Sequence, residues 1–287
     1  MVIDRVDKPT EVKEYARVPA VRSREQWSPR AAAGNMTAEG WKAEHLSNAM
    51  TLSMIRDQDA AVATLRRAVS TDRLHHAYLF TGPPGVGKER TALALAMAMN
   101  CRVSPDGCGV CPDCRRIANG IHPDVRVLTP LDGKRMILID AVREVEAFAR
   151  QRPHEAKCRV LIISPADAMN EAAANALLKT LEEPRRGNHI ILVTAAASSL
   201  LPTVRSRCQA IRFRALSTDT VLALLTARGV EPATAQLLAS LADGSMERAS
   251  EFEGEEIEPR FEAIRALEQG IAARTPLAAL QVAAELK

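Results

Sequence analysis

No apolar run in this sequence approaches the roughly 20 residues that a membrane-spanning helix needs. The N-terminus opens on mixed acidic and basic residues and lacks the apolar core of a signal peptide. Neither sign of charge dominates: 38 Lys and Arg stand against 35 Asp and Glu, for a formal net charge of +3. That is too small to argue by itself for a nucleic-acid or membrane partner. These absences leave a cytoplasmic globular protein with no membrane partner as the expectation. Aromatics are scarce, and both tryptophans (Trp27 and Trp41) and one of the two tyrosines (Tyr15) fall within residues 1–49. That stretch mixes charge, Pro and Ala without a sustained period. It reads as a disordered extension, or as sequence upstream of a natural start near Met50.

What is present fits a globular chain long enough for one large domain or two modest ones, with 47% hydrophobic and 25% charged residues. Val62, Leu65 and Val69 mark one face of a helix over 59–70. Short apolar runs at 77–80, 160–163 and 190–193 read as strands buried on both faces. Weaker strands are expected at 125–128, 136–139 and 210–213. Helices are expected from the 80s to about Met99, over 141–151, and over 167–183, where Pro184 stops the chain. Strands alternating with helices predict a parallel sheet covered on both sides, an α/β fold. Beyond Ser217 the strand signals cease, and helices are expected near 217–228, 231–242 and 245–252.

Gly82-Pro83-Pro84-Gly85-Val86-Gly87-Lys88 follows a strand and opens a helix, the context that makes such a pattern a phosphate-binding loop. Its glycines let backbone N–H groups converge on phosphate oxygens, and the helix N-terminus adds partial positive charge. Lys88 would reach the outer phosphates. The next position normally carries the Ser or Thr that holds Mg²⁺, and here it is Glu89. Thr91 lies about 200° further round the helix and cannot substitute. P-loop ATPases also need an acidic residue at the end of a neighbouring strand. The 160–163 strand is instead followed by Ser164-Pro165-Ala166-Asp167. Asp167 comes three or four residues late and reads as a helix N-cap, with Glu171 in the first turn. ATP with Mg²⁺ therefore remains a doubtful ligand, with binding without turnover still open.

Of six cysteines, Cys101, Cys108, Cys111 and Cys114 crowd into fourteen positions. Four thiolates suit tetrahedral Zn²⁺ with no open position, a structural site. An iron–sulfur cluster shares the Cys-x2-Cys-x2-Cys spacing and is the competing reading. Cys158 and Cys208 read as ordinary buried residues. Further along comes Leu201-Pro202-Thr203-Val204-Arg205-Ser206-Arg207-Cys208. Spacing alone favours a surface arginine that pairs locally, although an arginine on such a loop can also reach a neighbouring subunit's γ-phosphate.

Four stretches together resemble the clamp-loader branch of the AAA+ ATPases. They are His75–Pro83, the four-cysteine insert after the P-loop helix, Asn175–Pro184 with its Leu-Glu-Glu-Pro ending, and the Ser-Arg-Cys element at 206–208. The resemblance covers about residues 50–250, and the zinc insert fits the bacterial DNA polymerase III loaders. It implies a P-loop parallel sheet over 50–215 with a zinc module at 101–114, a helical lid over 216–254 and the start of a helical collar over 255–287, cut short. It implies that Arg207 acts in trans as an arginine finger, and that Thr194 joins residues 82–88 at the nucleotide. Active members keep a loop hydroxyl, an acidic pair and an arginine after Gly-Ser-Met. Here Glu247 follows Met246, with Arg248 next. Such departures are common in delta-prime-like subunits. The resemblance therefore implies a non-hydrolysing stator that joins ATPase subunits and a clamp-opening subunit to load a sliding clamp on primed DNA. An active motor subunit, or a nucleotide-independent zinc scaffold, are the alternatives.

Overall fold

The sheet runs β2-β3-β4-β1-β5, with every pairing parallel. Its strands are β1 (Ala77–Thr81), β2 (Val125–Leu128), β3 (Arg159–Ile163), β4 (Asn188–Thr194) and β5 (Gln209–Arg212). This is a computed structural model that describes residues 51–130 and 134–253. The expectations for 1–49 and for 255–287 lie outside the described residues. Among the described residues no helix is long and apolar enough to cross a membrane.

Alternation along each strand sends successive side chains to opposite faces. Tyr78, Phe80, Val160, Ile162, Ile191 and Val193 enter one core, with α1 (Asp59–Ser70), α2 (Lys88–Asn100) and α3 (Pro112–Ala118). Ala77, Leu79, Leu161, Ile163, Ile190 and Leu192 enter the other, with α4 (Ile139–Ala149) and α5 (Glu171–Glu182). Both faces of the central strands β1, β3 and β4 are thus covered, which is why they read as continuous apolar runs, whereas the edge strand β5 is exposed at Gln209, Ala210 and Arg212. The short α6 (Pro202–Arg205) leads into β5. Three helices follow, α7 (Thr218–Ala227), α8 (Pro232–Leu241) and α9 (Met246–Glu253). Their buried Val221, Leu225, Leu238 and Ala249 continue the first core.

Two expectations are corrected. Residues 136–139 form no strand: Ile137 makes a single parallel bridge with Met169, beyond the end of β3, and the chain turns into α4 at Ile139. The helix expected from Asp167 begins at Glu171, because residues 166–168 close a 3₁₀ turn first. Its N-cap is Asn170, whose side chain accepts a hydrogen bond from the Ala173 N–H at 2.9 Å. Glu171 does occupy the first turn.

One buried ion pair pins the sheet edge. The fully buried Asp124, just before β2, accepts from the N–H groups of His154, Glu155 and Ala156 and from Arg159 at 2.9 Å. Arg159 also donates to Phe148 O at 2.7 Å and stacks over the Phe148 ring. Burial alone would raise the Asp124 carboxyl. The three N–H groups and the guanidinium overcome it and hold its pKa well below the usual carboxylate range. Asp124→Ala strands a buried guanidinium and is expected to cost about 3–5 kcal/mol in urea melts. A depressed pKa stabilises the fold fully above about pH 4 and loses that contribution as pH falls towards the folded-state value. The wild-type and variant stabilities are therefore expected to converge in acid.

Candidate nucleotide and metal sites

Ligands of open parallel sheets gather at the C-terminal ends of the strands. Thr81 of β1 is level with Thr194 of β4 and Arg212 of β5, and Ile163 of β3 with Leu192. The loop after β1, Ser164 and Thr194 therefore share one edge. At Gly82 a Cβ would sit 2.4 Å from Phe213 O, so the loop leaves the sheet only through a glycine. Gly87 is the N-cap of α2 and caps it with no side chain, which leaves the first-turn N–H groups for a ligand.

Lys88 is buried and folds back on its own loop. Its ammonium donates to Gly82 O at 2.8 Å and to Pro83 O at 2.5 Å. Burial pushes its pKa down, opposed by the carboxylates of Glu89, Glu247 and Asp167. The side chains at the expected metal position bond to each other, with the buried Ser164 hydroxyl donating to the Glu89 carboxylate. A carboxylate has replaced the hydroxyl on the helix, and a hydroxyl stands where the strand would supply a carboxylate. This set differs from the one that cradles Mg²⁺ in a hydrolysing P-loop. Thr91 is turned away, its hydroxyl donating to Gly87 O at 2.8 Å.

Asp167 belongs to this edge, which the sequence reading missed. Its carboxylate accepts from the hydroxyl of the buried Thr194, whose oxygen accepts from the Ala196 N–H at 2.9 Å. Sequence distance hid the pair: Asp167 follows β3 and Thr194 ends β4. Pro83, Pro84, Gly85 and Val86 complete the loop.

Cys101, Cys108, Cys111 and Cys114 bring their sulfurs within 4.8 Å of one another. A tetrahedral Zn²⁺ with bonds of about 2.3 Å separates its sulfurs by roughly 3.8 Å, so the donor set fits such an ion. Backbone N–H groups point at the sulfurs, as thiolates require: Val103, Ser104 and Cys108 at Cys101, Cys111 at Cys108, and Cys114 at Cys111. Burial would raise the Cys101 thiol, but the N–H groups of Ser104, Val103 and Cys108 bring it down to about 7. Cys101 is the C-cap of α2, and Cys111 with Pro112 opens α3. The module is tied to its surroundings by Lys157 donating to Cys101 O at 2.6 Å and by the Arg66–Asp106 ion pair at 2.7 Å. Cys158 and Cys208 stand outside it, and burial pushes both thiols up to about 12.

Arg207 is half-buried between α6 and β5. It donates to Thr203 O at 2.9 Å and pairs with Glu182, the last residue of α5, at 2.7 Å. The register sets Gln209 beside Tyr78, three residues back from the pairing of Thr81 with Arg212, or about 10 Å along the strand. Arg207 precedes Gln209, so it lies towards the opposite end of the sheet from the phosphate loop.

A family described as "DNA polymerase III, delta subunit" matches residues 57–217. DNA polymerase III subunit delta' of Pseudomonas aeruginosa is 42% identical over 135 residues, which span 46% of this chain and 41% of that protein. The Bacillus subtilis subunit delta' is 36% identical over 193 residues, 66% of this chain and 57% of that one. The Escherichia coli subunit tau is 32% identical over 207 residues, 69% of this chain and 32% of that one. The chain thus spans about half the length of the delta' relatives it matches. Since the family match takes in more than half of the sequence, the chain belongs to the DNA polymerase III delta-subunit family and is delta-prime-like within it.

Proposed function

We propose that this chain is a non-hydrolysing clamp-loader subunit that offers Arg207 to ATP held by a neighbouring subunit. The observation that carries this reading is the Ser164–Glu89 bond, in which the two side chains at the metal position engage each other. Hydrolysis needs Mg²⁺ held there and a carboxylate beside it. Arg207, away from the chain's own loop, suits action across a subunit boundary. Its partner Glu182 is half exposed, and ion pairs of that kind contribute only about 0–1 kcal/mol, so a γ-phosphate can outcompete it. The assembly would include ATPase subunits and a clamp-opening subunit, and would load a sliding clamp on primed DNA. The domain arrangement proposed with it is a P-loop domain over 50–215, a lid over 216–254 and a collar from 255.

Likeness to tau favours one rival, a motor subunit of the same loader. The purified chain with MgATP separates the two. The stator is expected to release no phosphate, whereas turnover of about one per second or faster, abolished by Lys88→Ala, would make this a motor. In a reconstituted loader, Arg207→Ala is expected to lower the neighbour's ATP turnover by about 10³-fold or more while leaving assembly intact.

The metal in the cysteine module is proposed to be Zn²⁺ in a structural role, supplying folding energy to residues 101–114. Metal analysis is expected to find one zinc per chain and no iron. Cys111→Ser should lose it, and chelation should open the module to proteolysis while the sheet's circular dichroism persists.

A further inference from the structure

The end of the sheet opposite the phosphate loop carries a cavity of about 140 Å³, held between the ends of α4 and α5 and the starts of β3 and β4. β4 runs seven residues from Asn188, in the cavity wall, to Thr194 beside the loop, or about 20 Å along the strand. The two places are therefore separate. The inner wall is apolar, with Phe148, Leu161 and Ile190 all buried. The mouth is charged: Arg150, Lys179 and Arg185 are exposed there against one carboxylate, Glu183. Arg150 approaches Glu146 at 3.7 Å, whereas Lys179 and Arg185 have no ion pair among the described residues.

Two polar atoms of the wall lack partners. The amide nitrogen of the buried Asn188 donates to Ala149 O and, at 3.1 Å, to Gln151 O, which leaves Oδ1 a buried acceptor with nothing to accept from. His76 is the second. The Leu181 carbonyl holds one ring nitrogen, and Nε2 is buried without a partner. Burial pushes the His76 pKa down, helped by His75, whose ring centre lies 4.3 Å away, and by His189. A neutral ring that donates from Nδ1 presents Nε2 as an acceptor. The β1–β4 register sets Ala77 beside Ile190, so His76 falls level with His189, one residue from Asn188. Bound water satisfies an isolated acceptor of this kind. Two acceptors in one wall, beneath a cationic mouth, match a ligand with two donors at one end and an anion at the other.

We propose that this cavity is a nucleotide site separate from the phosphate loop, and that it takes guanine. Guanine alone among the common bases puts two neighbouring donors, N1–H and N2–H, on one edge, which suits Asn188 Oδ1 and His76 Nε2. A cavity of this size takes a single aromatic ring. The six-membered ring of the base therefore enters the apolar wall, and the ribose and phosphates lie in the mouth against Lys179 and Arg185. The reading goes beyond the clamp-loader role and is independent of whether the chain hydrolyses ATP.

Calorimetric titration of the full chain with GDP and with ADP tests it. GDP is expected to bind about tenfold more tightly than ADP, or better. Lys179→Ala combined with Arg185→Ala, both on the surface, is expected to weaken GDP by about fivefold or more. Thr180→Trp, which fills the cavity, is expected to abolish GDP binding. The nuclear magnetic resonance signal of His76 Nε2 gives a readout that needs no variant, and GDP is expected to shift it. No GDP binding, equal affinity for GDP and ADP, unchanged affinity in the surface variant, or a His76 signal that GDP does not move would each overturn the proposal. So would a single strand with an unpaired dG that binds where GDP does not.

Discussion

Covering both faces of an all-parallel sheet is the constraint from which the rest of this structure follows. Strands that are apolar on both sides cannot carry polar side chains along their length, so polar chemistry is displaced to their ends. β1 lies between β4 and β5, which brings the phosphate loop beside Thr194 and places Ser164 one strand further along the same edge. The opposite end receives Arg207, carried by the turn into β5. One sheet therefore presents a glycine-rich loop at one end and a guanidinium near the other.

The ionic contacts divide by environment. Asp124 and Arg159 are both withdrawn from water and saturated with hydrogen bonds, so removing either leaves a charge with no solvent to turn to. Arg207 and Glu182, half in water, can part at small cost. Burial thus separates a pair that resists parting from one that does not.

Legibility in the sequence followed locality. The buried strands at 160–163 and 190–193, the glycine loop and the cysteine cluster are each written within a short window, and the structure has them at or within two residues of their expected bounds. What escaped depends on residues far apart. Ser164 meets Glu89 across 75 positions, and Asp167 meets Thr194 across 27. The absence of a hydroxyl and of a carboxylate was visible from each motif alone, but their exchange between elements was not. Asp167 was misjudged as a cap because its spacing from the helical stripe suited one. The 3₁₀ turn at 166–168, which delays α5 to Glu171, has no signature separable from a helix start.

The thirteen residues of α2, about 20 Å of helix, begin at Lys88 and are capped by Cys101. Its head is thus the glycine-rich loop and its tail is the first of the four clustered cysteines. All its residues from Thr91 to Asn100 are buried, so the helix cannot bend to absorb a disturbance at either end. A displacement at the cysteine end would therefore be carried along a buried rod to the glycine-rich loop rather than absorbed within it.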